Sequence, residues 1–396
     1  MKGKQVIVGV TGGIAAYKAA ELVRGLVRAG VHARVAMTEN ATRFVTPLTF
    51  EALSGHRVVQ AQFHPDTKPM DHITWGQEAD LVVVAPATAN FVAKMAHGLA
   101  DDFLSTLVVA ATAPVLVCPA MNARMWENPA VRENLRILKD RGVDVMDPEA
   151  GDLACGTEGP GRLPEPEDML ERIRAMLSPQ DLAGRRVLVT AGATQEAIDP
   201  VRFITNRSSG KMGYALARAA ARRGADVVLV SGPTGLKRPS GVTFVGVRST
   251  EEMKDAVLAR RDGCDAIIKA AAVSDYRPGS VSRQKIKKGD EKQALELVRN
   301  PDILEALGCE RGDGACLLVG FAAETESLVK NARSKLEQKN VDMIVANDVS
   351  RTDAGFDADT NLVKILHRDG RTEELPLLPK DEVADCILDR IRDQWA

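Results

Sequence analysis

The chain has 396 residues, of which 45% are hydrophobic and 27% are charged, and its formal net charge is −2. This length suits two domains of roughly 180 to 210 residues, and the composition is typical of a soluble globular protein. A net charge close to zero gives no electrostatic reason to expect nucleic acid or an anionic membrane as a partner, so we expect small-molecule ligands.

The start of the chain and its cysteines predict a cytoplasmic protein without disulfides. Met1 leads directly into a predicted strand without a signal-peptide pattern, and the apolar runs fall short of the ~20 residues that a membrane span needs. The six cysteines are Cys118, Cys155, Cys264, Cys309, Cys316 and Cys386. Because they form no C-x-x-C pair, neither a zinc site nor a disulfide framework is predicted, and a functional cysteine would act as a single thiol.

The first half of the chain alternates predicted strands with predicted helices. The strands are predicted at 5–10, 31–37, 81–85 and 115–118, with a further short strand within 141–148. The helices are predicted at 14–29, 90–97, 103–111 and 163–177. Valine-rich strands between helices favour a parallel sheet that is covered on both faces. Residues 150–166 are dense in glycine and proline, so this segment is predicted to lack regular structure.

The second half repeats the alternation after a predicted linker at 178–184. Strands are predicted at 186–190, 226–230, 243–247, 265–270, 316–320 and 342–345, and helices at 211–223, 250–261, 324–340 and 380–393. Residues 361–367 and 373–376 predict a hairpin, whereas 276–291 predicts a polar loop that carries lysines. The fold class is therefore α/β, with two Rossmann-like parallel-sheet domains at 1–178 and 185–396.

Open α/β sheets bind ligands at the carboxyl ends of their strands, so we looked for polar residues there. The first half has Gly12–Gly13, Thr38 with Asn40, 86–90 and 118–122 at these positions. Glycines permit close approach of the backbone, and amide groups at helix starts suit a phosphate. The Gly12–Gly13 turn lacks the full G-x-G-x-x-G spacing, so a tight connection remains an alternative.

Three segments of the first half together resemble the phosphopantothenoylcysteine decarboxylase family of flavoproteins. They are APATANFVAKMAHGLADD (85–102), PAMNARMW (119–126) and LACGTEGPGR (153–162). The resemblance implies that FMN is held by Gly12, Gly13, Thr38, Asn40, Ala85, Thr88 and Asn90. It also implies three catalytic residues, namely His72 before Ile73, the P-A-M-N residue Asn122 and the A-C-G residue Cys155.

The implied chemistry explains the need for these residue types. A simple α-carboxylate has no electron sink for the carbanion left by CO2, and a flavin creates one by temporarily oxidising the cysteine-derived carbon–sulfur unit. Cys155 would then protonate the resulting enethiol, His72 would act as a base or orienting group, and Asn122 would bind the substrate carboxylate. From the residues alone, Asn122 suits a helix N-cap equally well.

The second half has a long loop before a helix start at 191–213, with Ser208, Ser209 and Gly210 placed to bind a phosphate or to cap the helix. Its spacing is not that of a Walker A motif. Considered by itself, the K-I-K-K run at 285–288 would indicate only a charged surface exposed to solvent. The segments that accompany it are AGATQEAIDPVRFITNRSSGKMG (191–213), KAAAVSDY (269–276), GFAAET (320–325) and ANDV (346–349). Together these segments resemble the phosphopantothenate–cysteine ligase family.

This second resemblance implies an acyl-nucleotide reaction, in which cysteine displaces a nucleoside monophosphate from activated 4′-phosphopantothenate. The implied nucleotide contacts are Lys269, Ala270, Ala271, Asp275, Lys285, Pro301, Asp302, Ile303, Leu304, Phe321, Lys335 and Lys339. The implied substrate contacts are Arg202, Asn206 and Ala272, with Asn206 and Lys285 also catalytic. Asp275 is the implied ligand for Mg2+, and CTP is the expected co-substrate because the fused bacterial forms use it.

The combined prediction is a bifunctional enzyme of coenzyme A biosynthesis that ligates cysteine to 4′-phosphopantothenate and then decarboxylates the product to 4′-phosphopantetheine. Resemblance also implies a homo-oligomer, with trimeric decarboxylase domains that share flavin sites, dimeric ligase domains and a possible dodecamer. Two alternatives are an FMN-binding regulatory module without catalysis and a nicotinamide dehydrogenase. A dehydrogenase would place an acidic residue after its second strand, where this chain has Thr38 and Ser231.

Overall fold

The chain divides into two compact units, Met1–Ser178 and Pro179–Ala396. The computed structural model describes residues 1–63, 70–152, 156, 158–288, 294–311, 316–324, 327–348 and 358–395. Within these described ranges, no helix is long and apolar enough to cross a membrane.

The first unit is built on a five-stranded sheet. Its strands are β1 (Gln5–Val10), β2 (His32–Met37), β3 (Leu81–Ala87), β4 (Val115–Pro119) and β5 (Asp144–Val145). They lie in the order β2-β1-β3-β4-β5, and every neighbouring pair is parallel. The predicted parallel sheet is therefore confirmed.

Helices cover both faces of this sheet. They are α1 (Ala16–Arg28), α2 (Pro47–Ser54), α3 (Asp71–Glu78), α4 (Ala89–His97), α5 (Phe103–Ala110), α6 (Ala123–Trp126), α7 (Pro129–Asp140) and α8 (Pro166–Leu177), with a 3-10 turn at Glu39–Arg43. Val8 of β1 belongs to the apolar layer that contains Leu22 of α1, whereas Ile7 belongs to the opposite layer with Leu104 of α5. Strand side chains alternate between the faces, so a continuous apolar run fills both layers.

The prediction that 150–166 lacks regular structure is wrong. The segment contains an antiparallel hairpin of β6 (Glu149–Asp152) and β7 (Glu158–Arg162). Strand pairing uses backbone N–H and C=O groups, so it does not require the apolar side chains on which the prediction relied. Glycine also allows the backbone of this hairpin to adopt φ = 138° at Gly161.

The second unit is built on an eight-stranded mixed sheet. Its strands are β8 (Arg186–Ala191), β11 (Asp226–Ser231), β12 (Val242–Gly246), β13 (Ala266–Lys269), β16 (Leu317–Glu324), β17 (Met343–Asp348), β19 (Val363–His367) and β20 (Thr372–Glu374). The order is β12-β11-β8-β13-β16-β17-β19-β20, with parallel pairing as far as β17 and antiparallel pairing beyond it. The β19–β20 pair confirms the predicted hairpin, and the architecture confirms the α/β class.

Small two-stranded sheets accompany the large one. They pair β9 (Gln195–Ala197) with β10 (Phe203–Thr205), β14 (Tyr276–Pro278) with β15 (Leu297–Arg299), and β18 (Thr360–Asn361) with β21 (Leu378–Pro379). The first pair lies inside the segment 191–213 that was predicted to be a loop, and β14 begins the predicted polar loop at 276–291. Such short pairs carry too little hydrophobic periodicity to be found from sequence.

Five helices of the described residues cover the large sheet. They are α9 (Lys211–Arg222), α10 (Thr250–Leu258), α11 (Ile303–Cys309), α12 (Leu328–Gln338) and α13 (Lys380–Asp393). Residues of α9 and α13 share one apolar layer, and residues of α10, α11 and α12 share the other. The strand order reverses between β8 and β13, so the carboxyl ends of these two strands form a topological switch point, where such folds bind ligands.

Candidate functional site

A cavity of about 610 Å3 lies at the carboxyl ends of β1, β3 and β4 in the first unit. The predicted site residues that line it are Gly12, Gly13, Thr88 and Asn122. The residues that line it without having been predicted include Tyr17, Lys18, Met121, Asp152 and Arg162. The cavity is large enough for a cofactor-sized ligand.

Hydrogen bonds from Thr11 join the glycine turn to the loop after β3. The Thr11 hydroxyl donates to the Pro86 carbonyl oxygen at 2.7 Å and accepts from the Thr88 backbone N–H at 2.9 Å. Gly12 lies against Asn40, because a Cβ atom at Gly12 would be 2.4 Å from the Asn40 Cβ. Only glycine permits this approach. The structure therefore brings Gly12, Asn40 and Thr88 close together, and their contact with one ligand stays a prediction.

Thr38 supplies an independent indication of a ligand. Its Oγ1 is buried and has no hydrogen-bond partner within the described part of the chain. A buried hydroxyl without a partner is costly, and such groups are rare in folded proteins. The glycine cradle and this hydroxyl fit a polar, phosphate-bearing cofactor such as FMN.

Five predicted residues that the structure describes do not line the cavity, namely Thr38, Asn40, His72, Ala85 and Asn90. Ala85 is fully buried within β3, and Asn90 is exposed in the first turn of α4. His72 is half-buried on α3, which packs against α5 through an edge-to-face contact of Trp75 with Phe103 at 5.6 Å. The fold of a single chain thus does not bring His72 to the cavity.

The β6–β7 hairpin packs against the segment that contains Asn122. The Met121 N–H donates to the Gly161 carbonyl oxygen at 2.9 Å, and a Cβ atom at Gly161 would lie 2.0 Å from the Met121 carbonyl oxygen. The Asn122 Oδ1 accepts from the Arg124 N–H at 2.9 Å, which is the N-cap alternative raised by the sequence. Cys155 lies outside the described residues, in the segment that joins the two strands of the hairpin.

Lys18 is a residue of this cavity that sequence reasoning missed. Its ammonium is buried, donates to the Leu163 carbonyl oxygen at 2.9 Å and lies 3.1 Å from Glu165 Oε1. The hydrogen bond from Lys18 holds the pKa of the Glu165 carboxyl below its usual value. The only available signal was a lysine on the apolar face of α1.

The second unit gathers most of its predicted nucleotide contacts around one cavity of about 130 Å3. The predicted residues that line it are Lys269, Asp275, Pro301, Asp302, Ile303, Leu304, Phe321, Lys335 and Lys339. They come from β13 and the residues that follow it, from β16, from α12 and its C-cap, and from the start of α11. Asn300 also lines the cavity and was missed, although its amide donates to the Ser274 carbonyl oxygen at 2.8 Å and so shapes the wall.

The cavity concentrates positive charge around the Asp302 carboxylate. Desolvation by burial lowers the pKa of Lys269 to about 8. Burial raises the pKa of Asp302, and the hydrogen bond from Lys339 lowers it. The pKa of Asp302 is lowered overall from its usual value. Asp302 also caps α11 by accepting from the N–H groups of Leu304 at 3.0 Å and Glu305 at 3.1 Å. This arrangement can attract a polyanion while it keeps Lys339 in place.

Two of the predicted substrate contacts adjoin this cavity. The Asn206 amide donates to the Val273 carbonyl oxygen at 3.0 Å, and the Ala272 N–H donates to the Gly192 carbonyl oxygen at 2.9 Å. Val273 and Asp275 in turn line the cavity. The segment after β13 therefore links the predicted acyl site to the predicted nucleotide site.

A buried carboxylate, that of Asp199, joins Arg202 to the backbone of Ile286, which is the chain neighbour of Lys285. Asp199 accepts from Nε of Arg202 at 3.0 Å, from its Nη2 at 2.6 Å and from the Ile286 N–H at 3.1 Å. The Arg202 hydrogen bonds, with further backbone donors, hold the pKa of Asp199 far below its usual value. Arg202 also donates to the Ile286 carbonyl oxygen at 2.7 Å, whereas the side chain of the neighbouring Lys285 is exposed.

The remaining predicted contacts are less directly placed. Ala270, Ala271 and Lys285 do not line the 130 Å3 cavity. The Ala271 N–H instead donates to the Thr190 hydroxyl at 3.2 Å. Asp275 is exposed at the cavity edge, and no group of three or more His, Cys, Asp or Glu residues in the described ranges could hold a metal ion. The role of Asp275 as a Mg2+ ligand stays a prediction.

Comparison with protein families matches both units. The flavoprotein family matches residues 1–178, and the DNA/pantothenate metabolism flavoprotein C-terminal domain matches residues 182–394. The flavoprotein match supports FMN as the cofactor of the first unit, where the glycine cradle and the Thr38 hydroxyl fit it.

Individual relatives match the whole chain. The coenzyme A biosynthesis bifunctional protein CoaBC of Bacillus subtilis (strain 168) is 48% identical over 396 residues, which cover 99% of this chain and 97% of the relative. The protein of the same name from Escherichia coli (strain K12) is 45% identical, with 99% and 97% covered. A crystal structure of the C-terminal domain of a CoaBC protein is 46% identical, covers 55% of this chain and 98% of that chain, and has a TM-score of 0.47. The chain therefore belongs to the CoaBC family of bifunctional coenzyme A biosynthesis enzymes, which combine a flavoprotein decarboxylase with a ligase.

Proposed function

We propose that this chain converts 4′-phosphopantothenate and cysteine into 4′-phosphopantetheine, with CTP and Mg2+ for ligation at 185–396 and FMN for decarboxylation at 1–178. The observation that carries the ligation step is the gathering of the predicted nucleotide contacts around one cationic cavity in the second unit. The observation that carries the decarboxylation step is the glycine-lined cavity, together with the buried Thr38 hydroxyl, which has no hydrogen-bond partner among the described residues.

In the ligation step, Lys269, Lys335 and Lys339 supply positive charge to the triphosphate. Both chemical steps build negative charge on phosphoryl or carbonyl oxygens, and preorganised cations stabilise such charge. Asp302 orients Lys339 through their ion pair, and Phe321 provides an aromatic surface for the base. Asp275 would hold Mg2+, which when bound neutralises phosphate oxygens.

The acyl group would lie beside the segment after β13. Asn206 is held against Val273 by a 3.0 Å hydrogen bond, and Ala272 is its neighbour in the chain. Arg202 can contribute a cationic donor while its contact with Asp199 keeps the side chain oriented. The same carboxylate holds Ile286, so it positions the backbone next to Lys285, whose flexible ammonium would reach the phosphoryl group undergoing attack.

In the decarboxylation step, Gly12, Gly13, Thr38 and Thr88 would hold FMN, which when bound supplies reversible two-electron chemistry. Asn122 would donate its amide hydrogens to the substrate carboxylate while its oxygen caps α6. Cys155 would deliver the proton that completes the reaction.

The position of His72 favours an oligomer. Because His72 lies outside the cavity lining of its own chain, we propose that it completes the flavin site of a neighbouring subunit in the predicted trimer. Dimeric ligase units and a dodecamer extend the same proposal, and the cytoplasmic location stays a prediction.

Product analysis by mass spectrometry tests the whole reaction. The full chain is incubated with 4′-phosphopantothenate, cysteine and either CTP or ATP, and we expect 4′-phosphopantetheine to form with CTP. Cys155→Ser should form the ligated product and release CO2, but accumulate the enethiol because serine is a much weaker acid than a thiol. Normal 4′-phosphopantetheine output from this variant would contradict the role of Cys155, and preference for ATP would contradict CTP.

A further inference from the structure

A second cavity in the sheet of the second unit belongs to neither step. It has a volume of about 480 Å3 and lies at the carboxyl ends of β11 and β12. The residues that define its chemistry are Ser231, Thr234, Arg238, Phe244, Arg248 and Glu252. It shares no lining residue with the cavity that contains Lys269, so the proposed ligation site does not account for it.

Two arginines give this cavity its charge. Arg238 and Arg248 are both exposed, and neither forms a salt bridge within the described part of the chain. The guanidinium carbon of Arg238 lies 4.2 Å from the centroid of the Phe244 ring, so the ring supports one face of the guanidinium plane. Arginine suits phosphate through its paired N–H donors, and its plane can also stack on a nucleobase.

Three residues with hydroxyl groups, Tyr214, Ser231 and Thr234, line the cavity together with the arginines. The Thr234 hydroxyl donates to the Tyr214 hydroxyl at 3.0 Å, and Tyr214 lies 3.3 Å from the Ser231 hydroxyl. Ser231 ends β11, which follows β8 and α9 and is the second strand of the large sheet in chain order. In a doubly wound sheet this position faces the ribose of a bound nucleotide, and a nearby arginine there accommodates a phosphate on that ribose.

The acidic residue of the cavity suits the sugar. Glu252 accepts a hydrogen bond from the Arg248 N–H at 2.7 Å, which fixes the carboxylate beside the arginine backbone. A carboxylate at such a site accepts hydrogen bonds from a ribose hydroxyl. Ser231, which is uncharged, does not repel a phosphate on the adjacent ribose oxygen.

We propose that this cavity binds a ribonucleoside that carries a phosphate monoester on its 2′ or 3′ oxygen. Arg238 and Arg248 bind the phosphate, Glu252 binds a free ribose hydroxyl, and the base stacks on the face of Arg238 opposite Phe244. The volume of about 480 Å3 suits a mononucleotide. This ligand is a substrate of neither proposed step.

Titration calorimetry of the full chain with 2′-AMP and 3′-AMP tests the site. We expect saturable binding of at least one of them, with 5′-AMP and adenosine binding much more weakly. Arg238→Ala and Arg248→Ala should each weaken binding by about tenfold or more, because charge-assisted hydrogen bonds to the phosphate are lost. Both side chains are exposed, so circular dichroism should show that each variant remains folded.

Two controls make the outcome specific. Arg24→Ala removes an exposed arginine from the first unit and should leave binding unchanged. Lys335→Ala alters the cavity proposed for CTP and should also leave it unchanged. The proposal is overturned if neither probe binds saturably, if 5′-AMP binds equally well, or if binding is lost in Lys335→Ala and kept in the two arginine variants.

Discussion

Lys269 shows how burial turns a common residue into one that responds to pH. Its ammonium lies among Asp302, Lys335 and Lys339 at the end of β13, and desolvation lowers its pKa to about 8. A bound triphosphate would favour the charged form, because an opposite charge nearby raises the pKa of a lysine. Nucleotide binding should therefore be linked to the protonation of this side chain.

We expect CTP affinity to decline as the pH rises from 7 to 9. Below the pKa of about 8 Lys269 already carries its proton, whereas above that pKa binding requires proton uptake, so Kd should rise by about tenfold per pH unit. Lys269→Met should bind more weakly and lose this dependence. Lys330→Met, on the exposed surface of α12, is the matched control and should keep the wild-type profile. A wild-type Kd that stays constant over this range would contradict the role of Lys269.

Lys285 tests whether an exposed lysine is catalytic. If its ammonium stabilises charge during acyl-nucleotide formation, Lys285→Gln should lose on the order of 10²-fold of the ligation rate, measured as pyrophosphate release. Decarboxylation of supplied phosphopantothenoylcysteine should not change. Lys287→Gln, also exposed in the same loop, should retain the ligation rate. Equal rates in wild type and Lys285→Gln would mean that the lysine run is only a solvated face.

At the scale of elements, the β6–β7 hairpin matters because it packs on the segment that contains Asn122. A Cβ atom at Gly161 would lie 2.0 Å from the Met121 carbonyl oxygen, and the φ of Gly161 is 138°. The atoms nearest this Cβ position all belong to the backbone of Met121 and Ala123, so no flexible side chain could move aside to make room. The hairpin must therefore move if any side chain is added at this position.

Gly161→Ala should displace the hairpin and reduce decarboxylation by on the order of 10²-fold, because a displacement of about 1 Å misplaces catalytic groups. Ligation should be unaffected, since the substitution lies in the first unit. Gly98→Ala is the control, because Gly98 also has a positive φ, of 68°, but no atom within 4 Å of its Cβ position. Wild-type decarboxylation in Gly161→Ala would show that the docking of the hairpin is unimportant.

At the scale of the whole molecule, the chain passes from one core to the next within a few residues. Leu177 packs against the first core, whereas Leu182 is fully buried in the second. The guanidinium of Arg223 also reaches Asp181 at 2.6 Å inside the second unit. Each unit thus has its own core, which is the condition for independent folding.

A fragment of residues 1–180 should therefore fold, bind FMN and decarboxylate supplied phosphopantothenoylcysteine. We expect a yellow protein with a flavin absorption spectrum and no ligation activity. The oligomeric state of the fragment, measured by light scattering, tests the proposed trimer in the same preparation. A folded, monomeric fragment with full decarboxylase activity would contradict the proposal that His72 completes a neighbouring site.

Local patterns in the sequence were sufficient to predict the α/β class, the parallel sheets and most long helices. Continuous apolar strands and amphipathic helices each produce a recognisable hydrophobic pattern within a few residues. Elements with weaker periodicity, such as α3 and the β6–β7 hairpin, were missed. Helix α7 was also missed, although the sequence contains a start signal for it, since Asn128 forms its N-cap and Pro129 is its first residue.

The motifs determined which residues to examine, but only the tertiary structure decided which of them meet. Lys269 ends β13 and Lys339 follows α12, far apart in sequence, and they share a cavity because α12 packs in the same apolar layer as β13. The buried hydroxyl of Thr38 and the lowered pKa of Lys269 depend on burial, which no local pattern reports. The arginine cavity at the ends of β11 and β12 was invisible for the same reason, since Arg238 and Arg248 have no distinguishing sequence context until the fold brings them to one opening.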